Sequence, residues 1–183
     1  MAFGDPSLGM ASAGGMTQGD RMFLATFGMS PQTYRTQPAV VRLSCGAECA
    51  SALQEAGQRF PGRVIWIDGD LNLDNPMVLG SATSPAWLVV AGNLNIGDAA
   101  DVDIRGMVYT RGARWNQGAG SMVVRGAFIA EGDTAPNEGD FTIVGAPTLV
   151  FDSAVVDTLK AVEVRKRPEF GSFVRVPGSW RDF

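Results

Sequence analysis

A chain of 183 residues can bury one substantial core, and its 19 acidic against 15 basic side chains leave a net charge of -4. That balance offers nothing to nucleic acid or to an anionic membrane. There is no histidine, which removes the commonest general base, the Ser–His pair and most transition-metal sites and weighs heavily against a hydrolase or a metalloenzyme; no cofactor, metal or small-molecule substrate is expected.

In chain order, residues 1–20 are rich in Gly, Ser, Met and Ala without a period and read as a flexible lead-in. They have neither the basic start nor the apolar core of a secretory signal. If the protein is exported, the expectation is that the exporting segment lies outside this sequence. Residues 21–61 read as an N-terminal cap. Phe23, Phe27 and Tyr34 stand among turn formers and are expected to plug the first end of the repeat region at residues 62–151. Residues 39–45 are strand-like. Ala47, Ala50, Leu53 and Ala56 then recur at helical spacing, giving a short helix over residues 47–56 closed by Gly57 and Pro61.

Within that cap, Cys45 and Cys49 are four apart, and the chain lacks the further soft ligands a zinc site needs. A local disulfide and two free thiols both remain open. An i, i+4 pair on a helix sits roughly 5–6 Å apart at Cβ, wider than the roughly 4 Å a disulfide wants, and Gly46 can relax the turn. In an oxidising compartment the disulfide is the preferred reading.

Over residues 62–151 one pattern returns. The passes VIWIDGDLNL, LVVAGNLNI, MVYTRGARW and AFIAEGD align Gly69, Gly92, Gly112 and Gly132, and a second series ends at Gly80, Gly106, Gly126 and Gly145. Two interleaved signatures with a period near 20 residues give two short strands and two turns per repeat. The fold class is therefore mainly β, a parallel β-helix or β-solenoid of about four to five coils with short capping or covering helices.

Because side chains alternate across a strand, each column can be given a direction. Ile67, Val90, Thr110 and Ala130, with Ile65, Leu88, Val108 and Phe128, point into the coil. Val78, Ile104, Val124 and Ile143 form another inward column, backed by Val102, Met122 and Phe141. The outward positions of the first strand are also apolar: Trp66, Val89, Tyr109 and Ile129 in one column, Val64, Trp87, Met107 and Ala127 in the next. Strands apolar on both faces are covered on both faces. The cover is expected to be the helix near residues 47–56 or the C-terminal tail, and otherwise a partner docking on this surface.

Polar clusters read as surface. Asp68, Asp70, Asn72 and Asp74 alternate, but the sixth position of an EF-hand counted from Asp68 is Leu73 rather than Gly, so the string reads as a solvated acidic edge. Arg105 and Arg125 occupy equivalent outward positions beside Asp103, a salt-bridged ladder. Glu131, Asp133, Glu138 and Asp140 belong to the turn EGDTAPNEGD and read as solubilising charges. Residues 152–183 open with a helix capped by Asp152 or Ser153. Ala154, Val155 and Leu159 are expected to face inward and close the open end of the solenoid, before the basic run Arg165, Lys166 and Arg167 and a tail.

The terminal VPGSWRDF, the internal FGMSPQTYRTQPAV and the coil VIWIDGDLNL together resemble the C-terminal region of PilX-type proteins of type IV pilus assembly, minor pilin-like components of Gram-negative bacteria. The resemblance spans residues 22–183. It implies a non-enzymatic head domain facing the periplasm or the cell surface, assembling with other minor pilins or tip components. Anchoring in the inner membrane is expected only through a long apolar N-terminal helix behind a prepilin leader, both missing from this chain. The resemblance also favours a bonded Cys45–Cys49 pair. Two alternatives from other classes stand beside it: a β-helix that binds or cleaves glycans, which calls for an aromatic-lined groove, and a bactofilin-like scaffold polymer, which calls for uncapped ends.

Overall fold

The computed structural model describes residues 17–131 and 141–165, and these form a parallel β-solenoid of about four turns with short helices against it. One sheet runs through β1 (Val40–Leu43), β2 (Val64–Ile67), β5 (Ala86–Val90), β7 (Asp101–Thr110), β9 (Ser121–Ala130) and β11 (Thr148–Val150), with β4 (Met77–Leu79) paired to β7. The other stacks β3 (Leu71–Leu73), β6 (Leu94–Ile96), β8 (Arg114–Gln117) and β10 (Thr142–Val144). The helices are α1 (Gln18–Phe27), α2 (Pro31–Tyr34), α3 (Ala50–Arg59) and α4 (Ser153–Arg165).

A coil has three strand segments, not two, as in β2, β3 and β4. The ten-residue β7 and β9 arise because the third segment of one coil runs directly into the first segment of the next at Gly106 and Gly126. These glycines have φ of 155° and 134°. A Cβ on Gly126 would stand 2.3 Å from the Gly106 carbonyl oxygen, so neither corner tolerates a side chain.

The first-segment register is the one its columns predict: Ile65 pairs with Leu88, Leu88 with Val108 and Val108 with Phe128, while Ile67, Val90, Thr110 and Ala130 form the parallel column. The middle segment supplies an inward column that the glycine-anchored pattern does not reveal. Leu71, Leu94 and Trp115 align, as do Leu73 and Ile96, and all five are buried. Each such side chain stabilises the fold by about 1.5–3 kcal/mol, against roughly 1–2 kcal/mol per residue of backbone ordering. Stacking has to be continuous for the balance to favour the fold.

Two expected core residues are corrected. Val78 is 60% exposed, because Leu79 rather than Val78 pairs with Ile104, and its neighbours Met77 and Leu79 are buried instead. Counting back from Gly80 slips the register by one residue, which turns the strand over. Ile143 is 46% exposed and does not continue the column of Ile104 and Val124. It pairs with Trp115, and Leu149 takes the place beside Val124. The segment between β9 and β10 lengthens this coil, so a gap that looks periodic in the sequence spans a different part of the turn.

The ends also differ from expectation. The first is closed by α3, whose Ala50, Leu53 and Ala56, with Cys49, join the core of Ile65, Ile67 and Leu71. The helix starts three residues later than predicted and runs through Gly57, where a Cβ would meet Leu79 Cδ1 at 2.6 Å. This glycine marks a close approach, not a helix stop. Phe23, Phe27 and Tyr34 do not plug that end; they lie on α1 and α2 against the outside of the first segment. Nor does α4 close the last coil. Asp152 Oδ1 accepts from the Ala154 and Val155 amides and caps it as expected, but Val155 and Leu159 pack on the exterior and Ala154 is exposed.

Both Val89 and Val90 are fully buried, Val90 in the coil and Val89 under α1. An unpaired carboxylate in the coil costs several kcal/mol, comparable to the whole stability of a domain. Val90→Asp is therefore expected to abolish cooperative folding. Val89→Asp is expected to melt at lower temperature with α1 cleaved selectively by protease while β5 stays protected; indistinguishable proteolysis of the two variants contradicts the two-layer reading.

Candidate functional site

The apolar outer face is covered by the chain itself. Thr17 Oγ1 accepts from the Asp20 amide and caps α1, and Gly28, at φ 75°, ends it. Between them Phe23 and Phe27, one helical turn apart, meet the solenoid. The Phe23 ring is fully buried, 5.7 Å from Trp66 and 5.3 Å from Tyr109 in edge contacts, with Phe27 stacked at 4.4 Å. Val64, Trp66, Val89 and Tyr109 are buried there, with Trp87 and Ile129 half-buried at the margin. Met107 lies in the neighbouring cluster under Val155 and Leu159 of α4, beside Ala127. The helix over residues 50–59 has no part in this cover, whereas the C-terminal helix has.

Where α1 begins, the cover carries a polar cluster. Arg111 donates through Nε to both Glu131 oxygens, at 2.9 and 3.1 Å, and through Nη2 to Asp20 Oδ1 at 2.6 Å. The Tyr109 hydroxyl donates to Glu131 Oε1 at 2.9 Å. Glu131 is only 6% exposed, and a Cβ on Gly19 would stand 2.3 Å from its Oε2, so a side chain there would displace the carboxylate from this position. Burial pushes the Glu131 carboxyl above the usual range, with the Arg111 guanidinium and the Tyr109 hydroxyl pulling it back. Burial, followed by the adjacent Glu131, holds the Tyr109 phenol protonated far beyond its ordinary range. The positive end of the α1 dipole lies against Glu131 and offsets part of the excess negative charge. Glu131, read from the sequence as a solubilising turn charge, is therefore a buried anchor for α1. Asp133, Glu138 and Asp140 lie outside the described residues.

The alternating acidic string is also spent on structure. Asp68 pairs with Arg35 at 3.0 Å and Arg42 at 2.5 Å, tying the end of α2 and β1 to the first coil. Asp70 Oδ1 accepts from the Asn93 amide at 2.7 Å. Asn72 donates to the Gly46 carbonyl and accepts from Asn95, which accepts in turn from Asn116, at 2.9, 2.8 and 2.9 Å. This amide ladder lines an open groove of about 350 Å³ with Ala47, Gly97 and Gly118. Among the described residues no group of three His, Cys, Asp or Glu side chains is placed to hold a metal ion. Arg125 Nε donates to Asp103 at 3.3 Å, with Arg105 at 3.9 Å, in the expected ladder.

Cys45 and Cys49 are disulfide-bonded, with Cα atoms 5.2 Å apart. The pair leaves the helical spacing considered for it, because α3 begins only after Cys49. The Cys49 amide donates to the Asn72 carbonyl, so the small loop links α3 to the first coil.

Reducing the disulfide is expected to lower the unfolding free energy by about 2 kcal/mol, given its short loop, as measured by denaturant titration with and without reductant. An unchanged midpoint contradicts this. For Glu131, a raised folded pKa means that its contribution is fully present below the ordinary carboxylate range and is lost as pH rises through the raised value. As pH rises from the ordinary carboxylate range through the raised value, the wild type is therefore expected to lose stability relative to Glu131→Gln; parallel pH profiles contradict the burial argument.

In comparisons with known proteins, no family model, no curated protein and no solved structure matches the chain.

Proposed function

We propose that the chain is a structural subunit of the type IV pilus system, the head domain of a minor pilin-like protein that assembles with other minor pilins or tip components. The observation that carries the reading is the resemblance of VPGSWRDF, FGMSPQTYRTQPAV and VIWIDGDLNL to PilX-type proteins. The bonded Cys45–Cys49 pair supports it, since such bridges persist in the periplasm and at cell surfaces. At the start of α1, Asp20 and the buried Glu131 both pair with Arg111 and fasten the helix to the solenoid. In the segment FGMSPQTYRTQPAV, Phe27 and Tyr34 pack on the outer face of the coil.

The alternatives draw less support. A bactofilin-like polymer needs both ends free, and α3 occupies the first. Glycan recognition calls for aromatic rings along a groove, while the groove beside the asparagine ladder is lined by amides and glycines.

No helix among the described residues is long and apolar enough to cross a membrane. The pilin reading itself expects the gene to encode, ahead of Met1, a short basic leader and an apolar helix of about 20 residues. It further expects the full-length protein to co-purify with other minor pilins and its deletion to reduce surface piliation. An upstream region without an apolar helix, together with normal piliation in the deletion strain, overturns it.

A further inference from the structure

α1 is the layer that can leave without dismantling a coil. It meets the solenoid through Phe23, Phe27 and Asp20. Gly28, at φ 75°, joins it to Met29 and to Ser30, the cap of α2, while α2 is tied down separately by the pairing of Arg35 with Asp68. At the other end of α1 the fastening is one guanidinium. Arg111 reaches Asp20 Oδ1 at 2.6 Å and both Glu131 oxygens, and its Cζ stands 5.7 Å from the centre of the Phe23 ring. Glu131 belongs to the coil side of this joint, because its amide donates to the Thr110 carbonyl at 2.9 Å.

Two carboxylates therefore share one cation where little water reaches them. Like charges so placed repel, and a proton on one of them relieves the repulsion. We propose that α1 is a proton-linked latch: while docked it keeps a proton on Glu131, and when that proton is lost α1 swings away about Gly28 and bares Trp66, Val89 and Tyr109. Among the described residues, the groups facing Glu131 are Asp20 and the positive end of the helix dipole on α1, Arg111 after β7, and Tyr109 on β7. Undocking takes away the Gly19 backbone that covers Glu131 Oε2, and with it the Asp20 carboxylate. Burial and Asp20 are the influences that raise the Glu131 carboxyl, whereas Arg111 and the Tyr109 hydroxyl, which lower it, stay with the coil. The departing dipole opposes this in part. Docked Glu131 thus gives up its proton at higher pH than undocked Glu131. The hold on α1 is firmest below the ordinary carboxylate range and weakens as pH rises through the raised value.

Hydrogen exchange of the full chain, corrected at each pH for the intrinsic amide rate, tests the latch. Amides of residues 21–27 are expected to lose protection as pH rises through that window, by up to about tenfold per pH unit, the limit for one proton, while residues 88–90 keep theirs. Glu131→Gln is expected to hold α1 protected with no slope. Asp20→Asn moves the window to lower pH by removing the second carboxylate, and Tyr109→Phe moves it higher by removing a donor to the ionised form. These opposite shifts decide the matter should Glu131→Gln fail to fold. Protection of α1 that does not change with pH in the wild type overturns the proposal, as does a slope that persists in Glu131→Gln or a shift of the same sign in the other two variants. Equal losses at residues 21–27 and 88–90 overturn it by assigning the proton to unfolding of the whole domain.

Discussion

The first strand segment of each coil is apolar on both faces, and much of the molecule depends on that constraint. Its inward columns close a core around Leu88, Val90 and Val108, but Trp66, Val89 and Tyr109 on the other side cannot face water without losing what the inner columns contribute. The solenoid therefore needs a second layer along one side only. α1 and α4 supply it, meeting through Phe27 and Ile129, each of which packs against both clusters. Once α1 must lie flat on the strands, its polar N-terminal turn comes to rest on the coil, and the Asp20, Arg111, Glu131 and Tyr109 cluster satisfies the groups buried there. Such a cluster is weak evidence of stability by itself. Its effect is to fix where the helix sits.

The middle segment solves the opposite problem, a wet outer face that must still hold the coils in register. An asparagine amide has a donor and an acceptor, so a column of them can pass one hydrogen bond from coil to coil. Asn72, Asn95 and Asn116 do this, and the series stops where Val144 takes the next position. Asp70 and Asp98 act in parallel by accepting backbone amides of the following coil, Asn93 and Ala119. A one-residue slip breaks these contacts together, which makes register a cooperative property of this face.

Much of this is legible in residue patterns. Alternation about the column glycines places the first-segment residues on their faces and shows that the outer face has to be covered. What escapes does so for identifiable reasons. The identity of the cover depends on α1, whose signals are present in the Thr17 and Asp20 cap, the Phe23 and Phe27 spacing and Gly28, but the surrounding Gly and Ser composition suggests a loop. The middle segment is hidden because its Leu71 and Leu73 stand among acids that read as surface. Val78 and Ile143 are misplaced because turn lengths vary between coils, and no pattern within a strand reports the length of the turn before it. The burial of Glu131 depends on a helix more than one hundred residues away in sequence and leaves no local trace.

The two ends of the solenoid are unlike, and the difference has a physical consequence. A parallel coil presents unpaired strand edges wherever it stops, and such edges recruit other chains unless something blocks them. At the first end the block is built from apolar contacts of α3, reinforced by the Cys45–Cys49 bond and by Asn72. At the last coil the described residues leave edges and apolar side chains facing outward together. The contact of Gly19 with Glu131 brings the start of α1 to this same last coil. Under the proposed pilin reading, a segment preceding Thr17 joins the body beside its open end, and the disulfide-pinned cap faces away from it.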